Sequence, residues 1–180
     1  LKESADRFRI PLFQTPLSTA TFVLRLTKFL SHHLTEKAVV HGVLVDVFGI
    51  GVLLMGRSGI GKSECGLELV MKGHRLVADD VVEIRKKDPE SLYGNGHELI
   101  KYHMEIRGLG VINIKDLFGV ASVRDQKLIE LIIQMVEWHP RKEYERLGVE
   151  YKTREIMGVP LPHIQIPVRP GRSLTSVIEV

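Results

Sequence analysis

The chain has little of what would assign it to several large protein classes. Its 180 residues include a single cysteine, Cys65, which rules out an internal disulfide and fits a reducing compartment. No apolar run approaches the length of a membrane span, and no signal-peptide pattern is visible. Lysine and arginine form no block, and aromatic residues do not interleave with basic ones, so no nucleic-acid surface is expected. The net charge of +3 is small and gives only weak support for an anionic substrate. There is no internal repeat and no low-complexity tract. Hydrophobic and charged fractions of 44% and 26% are those of an ordinary globular domain and indicate neither disorder nor a membrane protein. The first residue is Leu1 and not Met, as expected of a piece of a longer protein; the cytoplasm is the default compartment.

What is there is organised around residues 52–64. Four apolar residues run into Gly56-x-x-x-x-Gly61-Lys62-Ser63, and a helix-like segment follows at 65–72. Strand, glycine-rich loop and helix, in that order, are what a P-loop requires. Glycines let the backbone fold around a phosphate chain with successive N–H groups pointing inward, and the helix N-terminus adds partial positive charge. Lys62 can reach β- and γ-phosphates, and the Ser63 hydroxyl can ligate Mg²⁺. A tight turn that binds nothing is the bland alternative. The pattern favours a nucleoside triphosphate or a similar polyphosphate.

Along the chain, residues 1–16 are mixed and polar with Pro11 and Pro16, and read as a linker or the end of a neighbouring domain. The expected division is therefore 1–17 as linker and 18–180 as a catalytic P-loop domain. Ser18 or Thr19 can cap a helix to about Leu34, with Phe22, Leu26, Phe29 and Leu30 as a core-packing face. Residues 37–48 read as one strand, and Gly49-Ile50-Gly51 turns into a second at 52–55. A hairpin leading into the loop points to a mixed sheet rather than a wholly parallel one. After Gly73, short strands are expected at 75–78 and 81–85, an exposed loop at 86–96, and a strand within 128–138. Residues 142–148 are charged, 160–170 are proline-rich, and Ser173 onward resembles a capped helix.

Other residues are weighed against plainer readings. Asp79-Asp80 ends a short apolar strand, where one carboxylate can orient a metal and the other accept a proton from an attacking hydroxyl. An exposed turn is the alternative. His41, among Val39, Val40 and Val43, is by pattern a hydrogen-bonded core residue more often than a catalyst. Cys65 is expected to pack. In Glu105-x-Arg107-Gly108-x-Gly110 the acid can serve a metal and Arg107 a phosphate, while a bulged strand with a salt bridge fits equally. Pro167-Val168-Arg169-Pro170-Gly171-Arg172 sets two arginines in a rigid loop suited to phosphate or to a structural turn. Arg146, in a charged stretch, reads as a solvated surface residue.

Taken together, the Gly56 to Glu64 loop, Asp79-Asp80, Glu105-Ile106-Arg107-Gly108-Leu109-Gly110-x-Ile112-Asn113-Ile114, Ile166-Pro167-Val168-Arg169-Pro170-Gly171-Arg172 and the strand at His41 resemble the bacterial HPr kinase/phosphorylase family, over its C-terminal catalytic domain. The resemblance implies an α/β fold, a P-loop-containing mixed sheet flanked by helices, similar to the nucleotide-binding core of phosphoenolpyruvate carboxykinase. It implies an enzyme that phosphorylates a serine of the phosphocarrier HPr with ATP or pyrophosphate, and removes that phosphate with inorganic phosphate to give pyrophosphate. Carbon catabolite repression, a homohexamer and Mg²⁺ come with it. By the same resemblance Asp80 is the general base, and the general acid in reverse. His41, Lys62 and Arg146 are further catalytic residues, and Ser63 and Glu105 serve Mg²⁺. The nucleotide lies on Gly56, Arg57, Ser58, Gly59, Ile60, Gly61, Lys62 and Ser63. Arg57 departs from the family, which often has an acid there. Two other readings stay open. One is a small-molecule kinase or carboxykinase-like enzyme; the other is a nucleotide-sensing module without turnover, against which Asp79-Asp80 argues.

Overall fold

Val43, Val45 and Val47 pack to one side of an extended segment and Leu44 to the other, and both sides are buried. A strand covered on both faces is apolar without alternation, and this one, β2 (Val43–Val47), lies inside the molecule. The computed structural model describes residues 1–34, 36–139, 152–169, 171 and 173–179. Its contacts group into two units, Leu1–Thr35 and Glu36–Val180.

In the first unit, α1 (Lys2–Phe8) is a short helix with no buried residue, where sequence reading expected only a linker. Helix α2 (Thr19–Leu34) is capped as expected: the Ser18 hydroxyl accepts from the Thr21 N–H at 3.4 Å. Its apolar face is not core. Phe22, Leu26, Phe29 and Leu30 are 39–57% exposed, because helical spacing fixes which residues share a face and not what covers it.

In the second unit, among the described residues, a six-stranded sheet runs in the order β11 (Lys152–Ile156), β12 (Val159–Val168), β10 (Leu131–Glu137), β3 (Ile50–Met55), β2, β4 (Arg75–Ala78). β10 is parallel to both β3 and β12, while β2, β4 and β11 pair antiparallel, so the sheet is mixed as expected. One face packs on α3 (Lys62–Met71) through Leu69, Val70 and Cys65. The other packs on a four-stranded antiparallel sheet, β1 (Lys37–His41), β5 (Val81–Asp88), β6 (Ser91–Gly96), β9 (Gln126–Leu128), through Val82, Ile84 and Leu92. Each fully buried leucine, such as Leu44, Leu53 or Leu54, contributes about 1.5–3 kcal/mol to this core. No helix among the described residues is long and apolar enough to cross a membrane.

Two sequence expectations fail here for a shared reason. The single strand at 37–48 is two, broken at Gly42, and the halves join different sheets; a β-carbon on Gly42 would lie 2.6 Å from the Leu54 carbonyl oxygen. The loop at 86–96 is instead the β5–β6 hairpin, whose Gly94 faces the Leu44 side chain at a spacing that admits no β-carbon. In both places glycine serves close approach and not a turn, to a neighbouring strand at Gly42 and between the two sheets at Gly94. The C-terminal helix, α5 (Thr175–Ile178), is a single turn without a side-chain cap; the Ser173 hydroxyl bonds Thr175 Oγ1 instead. Pro167 and Val168 end β12 beside β10, and so belong to the sheet and not to a loop.

Gly51 shows how tightly the layers meet. A β-carbon there would run into the Leu128 carbonyl oxygen, and the Gly51 N–H already donates to the Glu130 carboxylate at 2.8 Å. Gly51→Ala is expected to lower the unfolding free energy by about 2–3 kcal/mol. Gly73→Ala meets no atom within 4 Å and strains only a backbone at φ 98°, so it should cost about 1 kcal/mol. Urea unfolding that ranks Gly73→Ala as the more damaging change contradicts this packing.

Candidate active site

The site lies at the carboxyl ends of the parallel strands, where β3 gives way to a glycine-rich loop. Gly56 touches β10: a β-carbon on it would come 2.8 Å from the Met135 carbonyl oxygen. Gly61, at φ 98°, forms the N-cap of α3 with no side chain bonded to the first-turn amides. Those amides are the unsatisfied donors of a helix start and face the loop, an arrangement that favours an anion. Ile60 is buried and pins the loop to the core. The Lys62 ammonium bends back over it, donating to the carbonyls of Gly56 at 3.2 Å and Arg57 at 3.1 Å. Ser58 is exposed, Arg57 forms an ion pair with Glu137 at the end of β10, and an Arg107 guanidinium nitrogen lies 3.3 Å from where a β-carbon on Gly59 would sit.

Adjacent carboxylates then part. Asp79, only 7% exposed, accepts from the Ser63 hydroxyl at 2.9 Å and from the Glu105 N–H at 3.2 Å. Burial pushes its carboxyl above the usual range, while the Ser63 and Glu105 bonds pull it back. Asp80 takes a left-handed backbone at φ 62°, and the Val81 N–H closes a tight turn onto the Asp79 carbonyl at 2.8 Å. The turn carries the Asp80 side chain, 73% exposed, out toward His41, whose Nδ1 is 3.8 Å from Asp80 Oδ1. A hydroxyl paired with a carboxylate is a donor set for a small divalent cation, and an exposed carboxylate beside an imidazole can take up or release a proton.

Among the described candidates, the structure brings together the residues 56–63, Asp79, Asp80, His41, Glu105 and Arg107. His41 is 79% exposed at the end of β1, so the core-residue reading is overturned: the break at Gly42 ends the strand just there. The segment at 104–114 is no bulged strand but a hairpin, β7 (His103–Ile106) and β8 (Gly110–Asn113), turned by Arg107 to Leu109. Cys65 packs as expected, its thiol pushed up to about 12 by burial. Arg169 stacks its guanidinium on Trp138 at 4.7 Å. Arg146, Pro170 and Arg172 lie outside the described residues. Sequence reasoning missed Glu137; its signal was position, since it follows an apolar strand that ends beside the loop.

The family described as HPr Serine kinase C-terminal domain matches residues 32–180. Curated relatives named HPr kinase/phosphorylase include one from Geobacter sulfurreducens, 58% identical over 100% of this chain and 56% of its own. One from Leptospira biflexa is 53% identical over 98% of this chain and 56% of its own. The chain thus spans a little over half the length of the curated relatives it matches. A solved structure of the Hpr(Ser) kinase/phosphatase from Coxiella burnetii superposes with a TM-score of 0.71 at 33% identity, covering 79% of this chain and 86% of that one.

The left-handed Asp80 backbone predicts a trade of stability for site geometry. Asp80→Gly removes the side chain that this conformation opposes and should raise the unfolding free energy by about 1 kcal/mol in urea titrations. A loss of stability would show that Asp80 is held without strain.

Proposed function

The chain belongs to the family of the HPr serine kinase C-terminal domain, and from that premise we propose that it transfers phosphate to and from a serine of HPr. The loop at 56–63 acts as a P-loop and holds the phosphates of ATP, or of pyrophosphate, on its amides and Lys62. The similarity to the phosphoenolpyruvate carboxykinase core belongs to the same reading. The single observation that carries it is the split of Asp79 and Asp80, one bonded to the loop's own Ser63 and the other turned outward beside His41.

In the forward direction Asp80 takes the proton from the seryl hydroxyl as its oxygen bonds the γ-phosphorus, and the bond to the ADP oxygen breaks. In reverse, inorganic phosphate attacks the phosphoserine phosphorus, the bond to the seryl oxygen breaks, and Asp80 returns the proton. Pyrophosphate leaves. His41 steadies the charge on Asp80 by proximity, and Arg107 offers a cation to peripheral phosphate oxygens. Catalysis of this kind rests on positioning and charge, so one site serves both directions.

The residues fit Mg²⁺. Among the described residues no cluster of three or more His, Cys, Asp or Glu would cage a metal. The Ser63 hydroxyl and the Asp79 carboxylate, 2.9 Å apart, suit an ion that keeps its waters and takes one or two protein oxygens with the substrate's phosphates. Ser63, Asp79 and the exposed Glu105 would hold it, and when bound it supplies neutralisation of phosphate charge. Arg146 as a catalytic residue, assembly as a homohexamer, a cytoplasmic location and a part in carbon catabolite repression complete the proposal.

Phosphate transfer to HPr, run forward with ATP and backward with inorganic phosphate, tests it. Asp80→Asn should lower both rates by about 10²–10⁴-fold while ATP affinity stays near that of the wild type. Retained transfer by Asp80→Asn removes Asp80 from its role. Phosphorylation of a free metabolite instead of HPr would make the enzyme a small-molecule kinase.

A further inference from the structure

A cavity of about 480 Å³ opens beside Gly61 and follows the first two turns of α3. It is an open groove, with Glu64 and Glu68 exposed along it. Glu64 and Glu68, one turn apart on the same face of the helix, form one wall. Val168, Ser173 and Leu174 form the other. Leu174 anchors the described part of that second wall. Leu174 is buried, and α5 behind it is tied to the end of α3 by Glu179, which accepts from Lys72 at 2.6 Å and bonds His74 at 2.9 Å.

The chemistry of these walls selects among possible occupants. Carboxylates only accept hydrogen bonds, and neither Glu64 nor Glu68 has an ion pair among the described residues. Two such groups repel a further phosphate and bind neighbouring hydroxyls, as an acidic residue does for a ribose. Val168 and Leu174 opposite offer an apolar surface to a flat ring. The cavity begins at the last glycine of the loop, so it continues the path of any polyphosphate laid on the loop amides. A larger cavity, about 650 Å³ beside Tyr93 and Tyr102, does not share these features. Its charges are spent on one another, Arg124 on Asp46, Lys127 on Glu130 and Lys101 on Asp125, and it does not include the loop.

We infer that this cavity is the nucleoside subsite, with Glu64 and Glu68 bonding the ribose hydroxyls and Val168 and Leu174 packing on the base. The inference rests on the reading of the loop as a phosphate cradle. It also makes the two carboxylates the feature that distinguishes ATP from a bare polyphosphate donor.

Calorimetric titration of ATP and of inorganic tripolyphosphate, both with Mg²⁺, tests it on the wild type and on Glu64→Gln/Glu68→Gln. The double variant should lose about tenfold or more in ATP affinity and keep its tripolyphosphate affinity or gain slightly. 2′,3′-Dideoxy-ATP should bind wild type and variant alike, because it has no hydroxyls to lose. An unchanged ATP affinity overturns the assignment, as does an equal loss for all three ligands. Leu174→Ala, which keeps the carboxylates, should weaken ATP and dideoxy-ATP together and spare tripolyphosphate; equal loss of tripolyphosphate counts against the apolar wall. If wild type binds neither ATP nor tripolyphosphate, the phosphate reading of the loop fails first and this subsite with it.

Discussion

A single peptide unit separates two carboxylates that must face opposite ways, and the site is built around that requirement. Successive side chains on a strand diverge in any case, but at Asp79-Asp80 the strand ends and a left-handed residue sharpens the divergence. Asp79 is drawn inward by the Ser63 hydroxyl and the Glu105 amide. Asp80 is left outside, and its carbonyl is fixed by the Gly42 N–H at 3.1 Å. The same Gly42 that breaks the strand into β1 and β2 therefore also ties down the turn that exposes Asp80, the carboxylate we propose handles the proton. Backbone conformations of this kind cost about 1–3 kcal/mol and persist where surrounding structure enforces them.

The mixed sheet supplies that enforcement. Parallel β3, β10 and β12 end at one edge, so Met55, Glu137 and Val168 deliver the glycine-rich loop, the partner of Arg57 and one wall of the cavity to the same place. Antiparallel β2 and β4 carry Asp79 to the side of the loop. Cores on both faces, α3 on one and the second sheet on the other, hold these ends rigidly enough for a hydroxyl and a carboxylate from separate elements to meet at 2.9 Å. Arg57, at the second position of the loop, is neutralised by Glu137.

Much of this was legible in the sequence where a residue type has one physical use. Gly56 to Ser63 declared the loop, Gly73 the end of α3, and the hairpin before the loop the mixed sheet. It was illegible where one residue type has two uses. Gly42 and Gly94 mark close approach of backbone or sheet, yet inside a run of valines the first is invisible, and beside Asn95 the second mimics a loop. His41 sits in an apolar stretch but at its last position, and only the break reveals that it is exposed. The apolar stripe of α2 gave its helix correctly and its burial wrongly, since spacing carries no information about the neighbour.

We propose that the two carboxylates divide the labour, with Asp79 on the metal side and Asp80 on the proton side. Titration of Mn²⁺ into the protein with a non-hydrolysable ATP analogue, followed by electron paramagnetic resonance, separates the two carboxylates without any turnover. Asp79→Asn should weaken Mn²⁺ binding by about tenfold or more, while Asp80→Asn should leave it at the wild-type value. Loss of Mn²⁺ affinity in Asp80→Asn, with Asp79→Asn unaffected, would contradict it.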